Sequence, residues 1–363
     1  MGPDLAVLAQ DPRFGGGGVA LTDAFVRAAR TVGREPQLLY DVHPGLGEAR
    51  LTWRRVEALR QLAATGRLAR EAREARSLWV AASLAHHGAA APRTGRRYGC
   101  WLATTLDAEW RGRAPGLPAA RRFAASVSIP TLKRLERRVL SQAHVLYATS
   151  PASCADLAAA AGRPQTDVRL LRIPVDVERF SPAPEREWRA LVESPVLAFV
   201  GRATDPRKNL PLLLEAFELL LRALPTARLL LVGGPPRSPA PAGVEVVGPV
   251  ADVAAELRRA AVFALPSRQE GFGIVAAEAL AAGVPVVSTP CGGPEELITR
   301  SGGGVVTETF DPEEFATTIE RLVRDPDALS AMRDAGRDYV ARVHAPALFQ
   351  ELVANALMEI DGD

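Results

Sequence analysis

With 363 residues, 47% of them hydrophobic and 24% charged, the chain is long and apolar enough for two domains that each build a core. A formal net charge of +2 and three scattered cysteines, Cys100, Cys154 and Cys291, leave no disulfide framework and no metal-ligand spacing, as expected of a reducing cytoplasm. The opening MGPDLAVLAQD lacks the basic flank and long apolar run of a signal peptide, Ala6 stands where a myristoylation motif takes Ser or Thr, and the longest uncharged stretch, residues 78–92, is too short to span a bilayer.

The charge is unevenly spread. Residues 1–180 carry 27 Lys and Arg against 16 Asp and Glu, whereas residues 181–363 carry 17 against 26. A basic half of this kind suits an anionic membrane surface or a phosphorylated acceptor. Solvated Arg-rich helices are the plainer explanation. Arginine supplies 42 of the 44 basic residues, so Lys133 and Lys208 stand out.

In chain order, LAVLA (5–9) reads as a strand. The loop FGGGG follows and runs into an amphipathic helix, ALTDAFVRAARTVG, ending at Gly33. Residues 37–41 form the next strand and 50–76 a long Arg/Glu/Ala helix. Further strands fall at 78–82, 100–105, 144–149 and 168–173. LKRLERRVL, ahead of Ala143, is helical, and Ser150-Pro151 opens a short helix over 151–161. SPAPEREWRALVES (181–194) changes composition and reads as a linker. A second alternation then begins, with strands at 196–200, 228–233, 244–248, 262–266 and 284–288, and helices at 209–224, 251–260, 311–323, 326–343 and 345–363. Short, β-branched, almost continuously apolar strands belong to parallel sheets covered on both faces. Two such series predict an α/β protein with two Rossmann-like domains.

The densest chemical signal is EGFGIVAAEALAAGVPVVS (270–288), a loop–helix–strand unit that follows the strand FALPS. Gly271 and Gly273 keep the loop bare around Phe272. The helix beginning near Ile274 and Val275 offers free N–H groups and the positive end of its dipole, where a phosphate binds well. Glu270 precedes the helix, and Glu278 lies about one turn inside it, roughly 6 Å further along. Carboxylates accept paired hydrogen bonds from vicinal hydroxyls, so one at each end of a diphosphate suits a sugar on one side and a ribose on the other. The cations come from FVGRATDPRKNLPLLLEAF (199–217), where Arg202 can grip a phosphate bidentately and Lys208 adds a compact charge. PCGGPEELI (290–298) is a second Gly-rich turn ahead of a helix.

On these residues the second half resembles the donor domain of the retaining GT-B-fold glycosyltransferases of family 4. The matching features are Gly201-Arg202, Lys208, the E-x7-E pair Glu270/Glu278 and CGGPEEL, with coverage from about 168 to 340. VDVERFSP (175–182) is similar to the family's crossover into that domain, although IPVD lacks the usual Asn-Gly. LERRVLSQAHVLYATS (135–150) resembles the end of its acceptor domain, and similarity before residue 130 is weak. The resemblance implies a GT-B fold with two Rossmann-like domains facing each other across a cleft. Residues 1–180 would bind the acceptor, residues 181–344 the nucleotide sugar, and the helix 345–363 would return to the first domain. It further implies that Arg202 and Lys208 neutralise the leaving diphosphate. Glu270 would hold donor-sugar hydroxyls, Glu278 the ribose, and the loop at Gly16 and Gly17 would face the donor phosphates and sugar. By the same resemblance the co-substrate would be a UDP- or GDP-type sugar, with no permanently bound cofactor, no metal and no nucleic acid. The acceptor would be a small molecule, a glycan or a lipid-linked group, anionic or at a membrane surface, and the expected location is the cytoplasm or the periphery of the membrane.

One departure touches the acceptor side. Family members place a histidine in a T-x-H turn, and Leu106 occupies that position in Thr104-Thr105-Leu106-Asp107. His86 or His87 can substitute, or Asp107 and Glu109 can contact the acceptor. Two rival readings stand beside the transferase. One is an NAD(P)-dependent oxidoreductase using Gly15-x-Gly17-x-x-Ala20 with Asp41, although five residues separate Ala9 from Gly15, where the fingerprint wants its first glycine directly after the strand. The other is a GT-B-like binding protein without turnover. Asp325-Pro326-Asp327 reads as a helix cap rather than a metal site, and His43, His144 and His344 as structural or surface residues.

Overall fold

The computed structural model describes residues 3–12, 16–40, 57–235 and 240–362. Phe14, Gly15, Asp41, His43 and the start of the helix expected over 50–76 lie outside the described residues. The chain divides into two compact units. One comprises Met1–Trp110, Leu117–Ile173 and Ala347–Asp363, and the other Arg111–Gly116 and Pro174–Pro346.

The first unit is built on a parallel sheet of β1 (Leu5–Ala9), β2 (Pro36–Tyr40), β3 (Ser77–Ala82), β4 (Gly99–Leu102), β5 (Val145–Ala148) and β6 (Val168–Leu170), in the order β2-β1-β3-β4-β5-β6. β1, β3, β4 and β5 are buried throughout, which explains their unbroken apolar character. An aromatic cluster fills one side: the Phe25 ring lies 5.1 Å from Trp79 and 6.2 Å from Trp101. The helix Pro346–Asp361 closes over Trp101 through Phe349, at 4.9 Å. It is pinned by Arg169–Glu359 at 2.5 Å and Arg34–Asp361 at 2.9 Å. The helix Pro151–Ala161 begins as expected, with Ser150 Oγ accepting the Ser153 amide. Two helices not anticipated from sequence, Leu106–Arg113 and the first half of Ala119–Gln142, follow β4. Pro130 inside the second is exposed, so its missing N–H faces solvent rather than core.

The second unit has a parallel sheet of β7 (Val196–Val200), β8 (Arg228–Val232), β9 (Val244–Gly248), β10 (Val262–Leu265), β11 (Val286–Ser288) and β12 (Gly304–Val306), ordered β9-β8-β7-β10-β11-β12. This is the 3-2-1-4-5-6 order of dinucleotide-binding folds, with a topological switch point between β7 and β10. The linker expected at 181–194 is instead largely a helix, Glu185–Glu193. Its Trp188 and Val192, one turn apart, are buried, and Arg333 stacks over Trp188 at 4.7 Å while donating to Glu185 at 2.9 Å. The prolines at 182 and 184 precede the helix rather than break it. Asp325 caps the helix Pro326–Val343 through the Ala328 amide. No helix among the described residues is long and apolar enough to cross a membrane.

Candidate functional site: the switch point of the second sheet

Loops leaving the carboxyl ends of β7, β10 and β11 carry most of the residues singled out in the sequence. After β7, Gly201 donates its amide to Val232 O at 2.9 Å, and Arg202 follows with its side chain 55% exposed. Asp205 then caps a single 3-10 turn, Pro206–Lys208, by accepting the Arg207 amide at 3.1 Å. That turn ends on Asn209, which is held at φ +47° and starts the helix Leu210–Ala223. The effect is to aim Lys208 across to the β10 loop, where its Nζ lies 2.7 Å from Glu270 Oε1. Ser267 Oγ donates to the same oxygen at 2.7 Å. Arg268 N donates to Arg207 O at 2.7 Å, tying the two loops together through backbone.

The β10 and β11 loops are also joined. Glu270 N donates to Cys291 O at 2.8 Å, and Gly293 N to Glu270 O at 3.0 Å. The approach is so close that a Cβ on Gly293 would lie 2.1 Å from Gly271 O. Gly273 sits at φ +81° as the cap of the helix Ile274–Ala281, and a Cβ there would meet Pro294 at 2.5 Å. Glu295 folds back onto the Gly292 amide at 2.6 Å and caps the adjacent helix Gly293–Ser301. Two helix starts are thus held side by side. The first amides of a helix have no intrahelical acceptor, so those at Ile274 and Val275 are donors suited to an anion.

Three carboxyls respond differently to this setting. Burial opposes ionisation of Glu270, but the charges of Lys208 and Arg207 and the bonds from Lys208 and Ser267 outweigh it and hold the group below its ordinary range. Asp205 is held down likewise: burial is outweighed by Arg207 at 3.0 Å and Arg113 at 3.3 Å, with Arg202 at 3.6 Å. Glu278 differs, since burial pushes it up to about 7 against a weaker pull from Arg179.

The second unit therefore brings together Arg202, Lys208, Glu270, the segment Gly271, Phe272, Gly273, Ile274 and Val275, and Glu278. Gly16, Gly17, His86, His87, Asp107 and Glu109 belong to the first unit. There Gly16 caps the helix Gly17–Thr31 at φ +85°. His86 and His87 are buried, their rings 4.4 Å apart, with His87 3.4 Å from Gln61. Leu106 packs with Leu84 and Leu132, and its amide donates to the buried Glu136 at 3.0 Å. The position of the absent histidine is thus part of a small apolar cluster. Asp107 pairs with Lys133. No group of three His, Cys, Asp or Glu residues among the described residues has a metal-binding arrangement.

Asp205, Arg207, Ser267 and Arg113 were not singled out in the sequence. Asp-Pro ahead of a turn is a cap signature and marks Asp205. Arg113 carries no local signal, because its partner is 92 positions away.

Comparison with known proteins agrees with this geometry. The profile of the family described as "Glycosyl transferases group 1" matches residues 194–325. A GDP-mannose-dependent alpha-(1-6)-phosphatidylinositol monomannoside mannosyltransferase of Mycolicibacterium smegmatis is 32% identical over 271 residues, 66% of this chain and 70% of the relative. The chain belongs to the group 1 glycosyltransferases. A D-inositol 3-phosphate glycosyltransferase of Corynebacterium urealyticum is 29% identical to this glycosyltransferase over 244 residues, 59% of this chain and 56% of the relative. Among solved structures, Anabaena HepE in complex with UDP and glucose superposes with a TM-score of 0.71 at 18% identity, covering 98% of this chain and 99% of that one. Sucrose-phosphate synthase from Thermosynechococcus elongatus superposes at 0.76 and 17% identity, covering both chains fully. The fold of this glycosyltransferase is GT-B.

Proposed function

We propose that this glycosyltransferase moves a hexose from a GDP- or UDP-sugar, with retention of anomeric configuration, to a phosphate-bearing polyol or its lipid-linked form. The second unit binds the donor. Arg202 and Lys208 balance the diphosphate beside the amides at Ile274 and Val275, Glu270 accepts from the donor-sugar hydroxyls, and Glu278 from the ribose. The first unit, which carries Gly16 and Gly17 at the start of its first helix, receives the acceptor. In the step itself the bond from the anomeric carbon to the β-phosphate oxygen breaks. The acceptor oxygen bonds to that carbon on the same face, and the acceptor proton passes to the departing phosphate oxygen. Nucleoside diphosphate leaves. The protein supplies positioning and charge stabilisation of the leaving group.

The observation that carries the reading is the Lys208–Glu270 contact of 2.7 Å at the switch point, next to the capped start of Ile274–Ala281. The acceptor class draws support from two relatives, whose names specify inositol phosphate or a phosphatidylinositol mannoside, and from the basic balance of residues 1–180. The test incubates the full chain with GDP-mannose or UDP-glucose and inositol phosphate, and reads the anomeric configuration of the product by NMR. A retained anomer whose formation is abolished in Glu270→Ala supports the proposal. An inverted anomer overturns the route, and tight binding of NADH in place of either nucleotide sugar overturns the donor.

A further inference from the structure

Asp205 stands among three guanidinium groups and cannot bond to them all. A carboxylate offers about two acceptor positions on each oxygen. Oδ1 takes the Arg207 amide at 3.1 Å and Arg207 Nε at 3.4 Å. Oδ2 takes an Arg207 amino group at 3.0 Å and an Arg113 amino group at 3.3 Å. Arg202 approaches the same Oδ2 but is left at 3.6 Å, beyond hydrogen-bond range, with its side chain more than half exposed. Arg113 reaches this carboxylate because of the segment that carries it. Arg111–Gly116 belongs to the second unit and lies against the loops that follow β7 and β10. A Cβ on Gly116 would be 2.6 Å from that of Pro206, and one on Gly112 would collide with that of Gln269. The two glycines let the backbone pass close enough for the largely buried Arg113 side chain to meet that of Asp205.

We infer that Arg113 is a positioning residue for the donor: it occupies the last acceptor position of Asp205 and so keeps Arg202 from being captured there. The inference rests on the proposed role of Arg202 as a diphosphate ligand and deepens it. Arg202 and Asp205 are three residues apart, and Asp205 N donates to Arg202 O at 2.9 Å, so backbone already holds the two side chains close. Without Arg113, a charge-assisted bond from Arg202 would close the remaining gap. The donor diphosphate would then have to break that bond before taking the same guanidinium, and its affinity would fall by the difference. Arg207 cannot fill the vacated position, since its amide and side chain already hold both oxygens.

The experiment titrates the full chain with GDP-mannose and UDP-glucose in a calorimeter. Arg113→Met should bind the donor about tenfold or more weakly, the scale of one charge-assisted bond. Adding Asp205→Asn should return most of that loss, because a neutral side chain no longer captures Arg202. In an Arg202→Ala background, Arg113→Met should change affinity by less than about threefold. An Arg113 that merely supports the loop would weaken binding equally with and without Arg202, and that outcome overturns the inference. So does an Arg113→Met variant that binds as wild type while Arg202→Ala binds weakly. Arg202→Ala binding as wild type would instead overturn the phosphate role of Arg202, and the inference with it. Melting temperature is read on each variant. If Arg113→Met does not fold, Arg113→Gln, which keeps a neutral donor with a weaker claim on the oxygen, is carried through the same backgrounds with the same outcomes expected.

Discussion

At the scale of residues, three carboxylates of one unit are tuned apart by their neighbours. In the proposed role, the Glu278 carboxyl, raised to about 7 from its ordinary 4.5, accepts on both oxygens, one for each vicinal hydroxyl, only when ionised. Nucleotide affinity measured by calorimetry should therefore rise between pH 6 and pH 8. Glu278→Gln should bind about tenfold or more weakly at the upper end and show a flat profile. Without ligand the sign reverses: the ionised form is penalised in the fold, so stability declines as pH climbs from 4.5 through about 7. Asp205 behaves in the opposite way. Its carboxyl is held below the ordinary 3.8, so its contribution is present at neutral pH and disappears as acid protonates it. Asp205→Asn keeps a capping side chain but removes the buried carboxylate charge shared by Arg207 and Arg113, at a cost of about 1–3 kcal/mol. Urea unfolding at pH 7 should show that gap, and it should shrink at pH 3. None of this tuning was legible in the sequence, because Arg113 and Asp205 meet only through folding, whereas the Glu270/Glu278 pair was legible from glycines and flanking strands that are local.

At the scale of elements, the site depends on two loops approaching to backbone contact. Gly293→Ala would place a methyl 2.1 Å from Gly271 O, and backbone cannot yield as a flexible side chain can. The substitution should cost about 2–4 kcal/mol and weaken nucleotide binding at the same time, because both loops must part. Denaturation together with a nucleotide titration checks the two losses on one sample; an unchanged affinity in a stable variant would show the loops to be independent. β1, β3, β7 and β10 were legible to within a residue of their ends, since a parallel strand buried on both faces has no polar residue to blur it. The helix Glu185–Glu193 was not, because two prolines and a run of charge drew attention from Trp188 and Val192, whose four-residue spacing is the helical signal. β12 was missed for another reason: three residues, one of them Gly304, carry too little pattern to read.

At the scale of the whole molecule, the chain leaves the first unit near Ile173 and rejoins it at Ala347. Phe349, Val353, Leu357 and Ile360 are buried there, so ending the chain at Pro346 removes roughly 6–12 kcal/mol of apolar burial, as much as a domain's entire stability. Calorimetry of that truncation should lose the transition of the first unit and keep that of the second; two intact transitions would show the helix to be dispensable. The alternation of strands and helices made the two-part organisation legible, yet the membership of Arg111–Gly116 in the second unit has no local mark, because it arises from packing against residues such as Gln269 and Pro206. The return of the last helix also imposes a calendar on synthesis. Translation delivers residues 174–346 before 347–363, so the later-made unit can reach its native state while the earlier-made one still shows Trp101 without its Phe349 cover. A nascent chain of this enzyme spends that interval with an aromatic surface open to solvent, which makes it a natural client for chaperones that hold half-finished proteins.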